Sequence, residues 1–167
     1  NRILEIDPLN RTARVQPGVR NLAISQAVEA QGFYYAPDPS SQIACTIGGN
    51  VAENSGGVHC LKYGLTVHNV LELKVVMASG ELVTIGGAAL DAPGYDLLAL
   101  MIGSEGMLGI VVEVLVKLLP TPQRAQVLLA AFDDVSKAAN AVGDVIAAGV
   151  IPAGLEMMEA KTNKNET

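Results

Sequence analysis

"SSQIACTIGGNVAENSGGVHC", residues 40–60, decides how the rest of the chain is read. Two glycine pairs, Gly48-Gly49 and Gly56-Gly57, bracket a segment over 46–54 that reads as a short helix with Thr46 near its start. Glu53 alone carries a full charge at neutral pH. Glycine lets a backbone approach a flat or anionic ligand with no Cβ in the way. Several N–H groups can then point at one anion, and the start of a helix adds positive dipole. Thr46, Ile47, Gly48 and Gly49 could offer N–H donors to an anion. For one isolated cluster the favoured reading is a turn and a tight helix contact.

On the N-terminal side, Ile3, Leu4 and Ile6 predict a strand, and Asp7-Pro8-Leu9-Asn10 a turn. Thr12 to Gln16 predicts a second strand, stopped by Pro17-Gly18. Asn21 is expected to cap a helix that buries Ile24, Ala27 and Val28 and ends at Gly32. "YYAPDPSS" is a rigid turn, because each proline fixes its own φ and restricts the residue before it.

On the C-terminal side, residues 69–78 alternate, with Leu71, Leu73, Val75 and Met77 on one face and Glu72 and Lys74 on the other. "ASGE" turns this strand into a partner over Leu82 to Ile85. Asp96 to Ile102 predicts a short helix. Residues 110–118 alternate again, with Ile110, Val112, Val114, Val116 and Leu118 on one face and Glu113 and Lys117 opposite. Pro120-Thr121-Pro122 marks a boundary, and Pro120 to Gln123 an exposed linker. Beyond it, Val127 to Phe132 reads as a strand. Asp133 or Asp134 caps a helix with apolar positions Val135, Ala138, Ala139, Val142 and Ile146. Gly149 ends that helix, and Ala153 to Met157 reads as a further strand. The fold class is α+β: a mixed or antiparallel sheet flanked by helices, followed by the start of a second unit.

A second glycine cluster, "GSEGMLGIV" over 103–111, spaces Gly103, Gly106 and Gly109 three apart. It is not a Rossmann fingerprint, which needs a strand before the glycines and a helix after them. Here the order is reversed. It is not a P-loop either, since no Gly-Lys-Ser/Thr occurs.

Taken with "PDPSSQIACTIGGNVAENSGG" and "KYG", this cluster resembles the FAD-binding domain of the vanillyl-alcohol-oxidase type of FAD-linked oxidases, from about Asn1 to about Met158. Within that family it is most similar to the branch that oxidises 2-hydroxy acids, glycolate first, with D-lactate and D-2-hydroxyglutarate as the alternatives. The resemblance implies an enzyme with FAD as cofactor and hydride transfer from the substrate α-carbon to flavin N5. It implies that residues 1–120 are the second subdomain of an FAD-binding domain, that 121–160 begin a substrate (cap) domain, and that 161–167 are an unmatched tail. The first FAD subdomain, with the family's pyrophosphate loop, and the bulk of the cap domain are expected as missing partners, and further subunits of a glycolate-oxidising complex as others. Catalytic and metal-binding residues are expected outside this chain, which is expected to be inactive by itself.

Residue by residue, the resemblance assigns Pro37, Asp38 and Pro39 to a turn that passes near the flavin. It assigns Thr46, Ile47, Gly48 and Gly49 to a segment facing the flavin and the chain that leads to its pyrophosphate. Asn54, Ser55, Gly56 and Gly57 match the second half of that segment. Glu105, Gly106, Gly109, Ile110 and Val111 match the start of a strand that runs past the cofactor.

Other candidates carry less. His59, Cys60 and His68 lie close in sequence, but their spacing is not that of a zinc site. They read as polar or packing residues near a loop, and a covalent flavin link through His59 is disfavoured. Tyr63 reads either as a flavin neighbour or as a surface tyrosine. Glu105 either orients backbone donors or caps a turn.

The net charge of -6 and the lack of a basic run argue against nucleic acid. No apolar segment reaches the roughly 18 residues that cross a bilayer. Cys45 and Cys60 make no disulfide framework and suit a reducing compartment, so the expected location is the cytoplasm, free or peripheral at the inner membrane. The rival reading from another class is a folded interaction fragment that never holds flavin.

Overall fold

The computed structural model describes residues 1–89 and 94–158. The tail expected over 161–167 lies outside these residues. Strands β1 (Ile3–Asp7) and β2 (Thr12–Val15) form a hairpin. The Asp7 carboxylate closes it by accepting the N–H groups of Leu9 and Asn10, both at 3.0 Å. Strands β4 (Val70–Val76) and β5 (Leu82–Gly86) form the second hairpin, and β6 (Ile110–Lys117) lies between the two. The sheet order is β1-β2-β6-β4-β5, with every pairing antiparallel.

One face of this sheet is apolar and carries α1 (Asn21–Val28) and α2 (Ile47–Glu53). Val15, Leu73, Val75, Val114 and Val116 from the strands meet Ile24, Val28, Ile47 and Val51 from the helices in one core. The other face is charged. There Arg14 Nη1 lies 2.6 Å from Glu72 Oε1, and Lys74 Nζ lies 2.8 Å from Glu113 Oε2. Cross-strand pairing of opposite charges supports the sheet on this side.

Two β-bulges alter the expected alternation. Val70 pairs with Val116 and Glu72 with Leu115, so Leu71 is an extra residue, and Val70 rather than Leu71 joins the core. Lys74 pairs with Glu113 and Val75 with Val111, so Val112 is the extra residue in β6. A bulge shifts the side-chain phase by one. Val111 therefore packs against the core while Ile110, expected inside, is 68% exposed.

Asn21 does not cap α1. It is the first residue of the helix and is 1% exposed. Its Nδ2 donates to the Pro37 carbonyl at 2.8 Å, and its Oδ1 accepts from Asn50 Nδ2 at 2.9 Å. Ala27 points to solvent. The buried Asn21–Asn50 bridge fixes α1, α2 and the 37–39 turn to one another. Asn50→Ala leaves Asn21 Oδ1 buried without a partner. The expected loss is about 1–3 kcal/mol, read as a fall in the urea midpoint; an unchanged midpoint would show that the bridge carries no stability.

The remaining elements are short. They include β3 (Phe33–Tyr34), α3 (Cys60–Tyr63) and α4 (Leu97–Met101), the last capped by the Asp96 carboxylate. Strand β7 (Leu119–Pro120) pairs with β3, and the Thr121 N–H donates to the Gly32 carbonyl at 2.9 Å. The expected linker is thus tied to the body as far as Thr121 and becomes exposed from there on. Helix α5 (Val135–Ala147) forms as expected, with the Asp134 carboxylate accepting the Ser136 N–H at 2.6 Å. Val127 to Phe132 and Ala153 to Met157 form no strands. Val127, Leu128 and Leu129 are almost fully exposed, because a strand needs a neighbouring strand and none of the described residues supplies one.

Candidate functional site

The first turn of α2 and the start of β6 flank an open groove of about 410 Å³. It gathers Thr46, Gly48 and Gly49 from the first glycine cluster with Gly106, Gly109, Ile110 and Val111 from the second. Pro17, Gly18, Val51, Ala52, Met101 and Ser104 also line it, and none of the described lining residues is charged. Sequence reasoning missed these six. Pro17-Gly18 read only as a strand stop, and nothing local marks a residue that lines a groove made by distant segments.

The N–H groups at the start of α2 find their acceptors within the protein. The Ile47 N–H donates to the Val19 carbonyl and the Gly48 N–H to the Pro17 carbonyl, each at 2.8 Å. The Gly49 N–H donates to Thr46 Oγ1 at 3.3 Å, an N-cap bond. These donors are spent on the protein, so this turn contributes shape rather than charge.

The glycines divide by what a Cβ would meet. At Gly48 it would lie 2.6 Å from Pro17 Cβ, and at Gly109 2.5 Å from Val75 Cγ1. At Gly56 it would lie 2.5 Å from Leu65 Cδ2, and at Gly57 it would collide with the Asp38 carbonyl. These four let protein segments approach one another. Gly49 differs: its Cβ would meet only Thr46 Oγ1, at 3.5 Å, and would otherwise project into open space. Gly106 is likewise open, and its φ of +76° suits glycine.

The other expected residues do not line the groove. Ile47 is fully buried in the core. Glu105 has φ +53°, and its N–H donates to the Ala52 carbonyl at 3.0 Å, which ties the second glycine cluster to the end of α2. Asn54 ends α2 in the left-handed region, and its Oδ1 accepts the Val67 N–H at 3.0 Å. The Ser55 carbonyl accepts both the N–H and the hydroxyl of Thr66.

Pro37, Asp38, Pro39, Gly56 and Gly57 belong to a second cluster, built around a side-chain hydrogen bond between Asp38 Oδ2 and His59 Nδ1. Beside His59, the Tyr63 ring meets Tyr34 edge-on with centroids 6.2 Å apart. Burial, together with a hydrogen bond to Tyr63, raises the Tyr34 hydroxyl pKa well above its ordinary value. Asp38 and His59 stand 21 residues apart with no linking motif, so the sequence could not pair them. Among the described residues no group of His, Cys, Asp and Glu could hold a metal ion.

A family model described as FAD binding domain matches residues 1–86, and one described as FAD linked oxidases, C-terminal domain, matches residues 121–164. The chain is 70% identical over 157 residues to the glycolate oxidase subunit GlcD of Escherichia coli K12, covering 94% of this chain and 32% of that protein. It is 39% identical over 160 residues to a D-lactate dehydrogenase of Anaerostipes hadrus, covering 95% of this chain and 34% of the relative. A solved alkyldihydroxyacetonephosphate synthase superposes with a TM-score of 0.76 at 27% identity, over 92% of this chain and 28% of that one. The chain thus spans about a third of the length of the curated relatives it matches.

Proposed function

The chain belongs to the FAD-binding domain family, and from that membership we propose that it is the flavin-holding part of an oxidoreductase that converts glycolate to glyoxylate. The groove fits the cofactor in part. Its uncharged, largely apolar lining and the bare face of Gly49 suit a flat ring system, whereas its N–H donors are already engaged. Thr46, Gly48, Gly49, Gly106, Gly109, Ile110 and Val111 would lie against the flat part of FAD. Ile47, Asn54, Ser55 and Glu105 hold that surface in shape. The Asp38–His59 cluster, with Pro37, Pro39, Gly56 and Gly57, fixes the neighbouring turn. FAD, when bound, supplies the acceptor for the two electrons leaving the 2-hydroxy acid, and the protein supplies position and electrostatics.

Residues 1–120 would act as one FAD subdomain, and 121–160 as the beginning of a substrate domain. The first subdomain, the rest of the substrate domain and further oxidase subunits would be the partners. No described helix is long and apolar enough to cross a membrane. A cytoplasmic enzyme, free or peripheral at the inner membrane, is the location proposed. The similarity to D-lactate and D-2-hydroxyglutarate dehydrogenases makes D-lactate and D-2-hydroxyglutarate the alternative substrates.

The observation that carries this reading is the open face of Gly49 inside a groove joining both glycine clusters. The test is to purify the full-length gene product, record its flavin spectrum and assay glycolate, D-lactate and D-2-hydroxyglutarate with an artificial electron acceptor. A yellow protein with its highest kcat/KM on glycolate is expected. A colourless product that takes up no FAD would favour the non-catalytic interaction fragment instead.

A further inference from the structure

Most residues beyond Thr121 are exposed, whereas Pro152, Ala153 and Gly154 are half-buried. At Gly154 a Cβ would lie 3.5 Å from the Val58 carbonyl oxygen and 3.6 Å from His59 Cδ2. The segment after α5 therefore comes back onto the first unit at His59. The chain leaves that unit at the same cluster. Leu119 of β7 pairs with Tyr34 of β3, the Tyr34 ring meets Tyr63 edge-on, and the Tyr63 and His59 ring centroids are 6.4 Å apart. Tyr34, Tyr63 and His59 thus join the point of departure to the point of return. His59 is also held from behind. Its Nδ1 shares a hydrogen bond with Asp38 Oδ2, and Asp38 sits against Gly57, where a Cβ would collide with the Asp38 carbonyl. Nδ1 and Cδ2 lie on opposite edges of an imidazole, so one edge meets Asp38 and the other faces Gly154.

We propose that His59, braced by Asp38, is a positioning residue: it is the footing that sets the substrate domain, begun by residues 121–158, against the flavin-holding unit. The inference rests on the flavin reading above. A single contact lets one unit rock on another. Two anchors, the β3–β7 pairing and the His59–Gly154 contact, define an orientation. The footing also lies close to the groove along the chain. Helix α2 lines the groove with Gly48, Gly49 and Ala52, and the segment that follows its Asn54 cap places Gly57 against Asp38. A tilt of the second unit on this footing therefore changes where that unit holds a substrate relative to the groove. Reacting atoms must come within about 3–3.5 Å, and a displacement of about 1 Å is costly. Loss of the footing is thus expected to slow turnover without releasing the cofactor.

The test uses the full-length holoprotein and reads amide hydrogen exchange over 150–157, glycolate turnover and flavin content. His59→Ala is expected to speed exchange over 150–157 about fivefold, as expected for the loss of one modest contact. It should lower kcat for glycolate about tenfold, with flavin content as in the wild type. Gly154→Leu attacks the same contact from the other side. It should reproduce both effects while exchange over 37–39 and 55–63 stays unchanged. A purely local role for His59, holding the 37–39 turn, would quicken exchange over 37–39 and 55–63 alone. Unchanged exchange over 150–157 in both variants, or faster exchange with kcat unchanged, overturns the positioning role and leaves the flavin reading standing. Wild-type protein that takes up no flavin overturns both.

Discussion

Gly49→Leu is expected to strip flavin from the full-length protein while leaving it folded. Gly49 lies in the first turn of α2, where a side chain replaces a residue that helices disfavour, a gain of up to about 1 kcal/mol for alanine. A Cβ there meets only Thr46 Oγ1 within 4 Å, so nothing in the protein resists it. The leucine side chain must then occupy the groove between α2 and β6. Bound flavin per protein should fall at least tenfold, and Gly49→Ala should fall between this and the wild type, with a melting temperature at or above that of the parent. Gly56→Ala and Gly109→Ala serve as opposites. Their Cβ atoms would come within 2.5 Å of Leu65 Cδ2 and Val75 Cγ1, so the cost of about 1–3 kcal/mol lands on folding. A Gly49→Leu protein that keeps its full flavin content would remove the groove from the cofactor site.

The contrast among these glycines marks where sequence reasoning stopped. Both clusters were legible as places where a backbone comes close to something. What each one approaches was not, because Gly57 abuts Asp38 and Gly48 abuts Pro17, contacts made only by folding. The N–H groups at the start of α2 are engaged for the same reason. The N–H groups of Ile47 and Gly48 look free in the sequence, but the turn at Pro17–Val19 folds back and takes them. The strands and their hairpins followed from period-two alternation and from turn residues such as Asp7 and Gly80. The bulges at Leu71 and Val112 did not, since an extra residue leaves no local signature in two valine-rich strands. Asn21 carries the chemistry of a helix cap, yet the Pro37 carbonyl and Asn50 compete for its side chain and win. Val127 to Phe132 has strand composition, but composition cannot provide the neighbour that a strand requires.

The 167-residue chain by itself is expected to oxidise no glycolate and to bind FAD weakly. The groove is open, so it covers one side of a flat ligand and leaves the other in water. Much of the affinity of a cofactor site comes from burying most of the ligand's surface. Among the described residues no charged or titratable side chain lines the groove, so none of them can fix a carboxylate there or take up the proton that a 2-hydroxy acid releases on oxidation. The apolar surface adds a second effect. Met107 and Ile110 beside the groove, and Val127, Leu128 and Leu129 farther on, are well exposed, and surface of this kind promotes self-association. The measurement is a titration of the isolated chain with FAD, followed by flavin fluorescence, together with sedimentation and a glycolate assay using an artificial electron acceptor. A Kd above about 10 µM, roughly 7 kcal/mol of binding free energy, is expected, with turnover no faster than free flavin and a sedimentation coefficient that rises with concentration. Stoichiometric binding at submicromolar FAD, or turnover above free flavin, would mean that these residues enclose the cofactor and act on the substrate without help from any other segment.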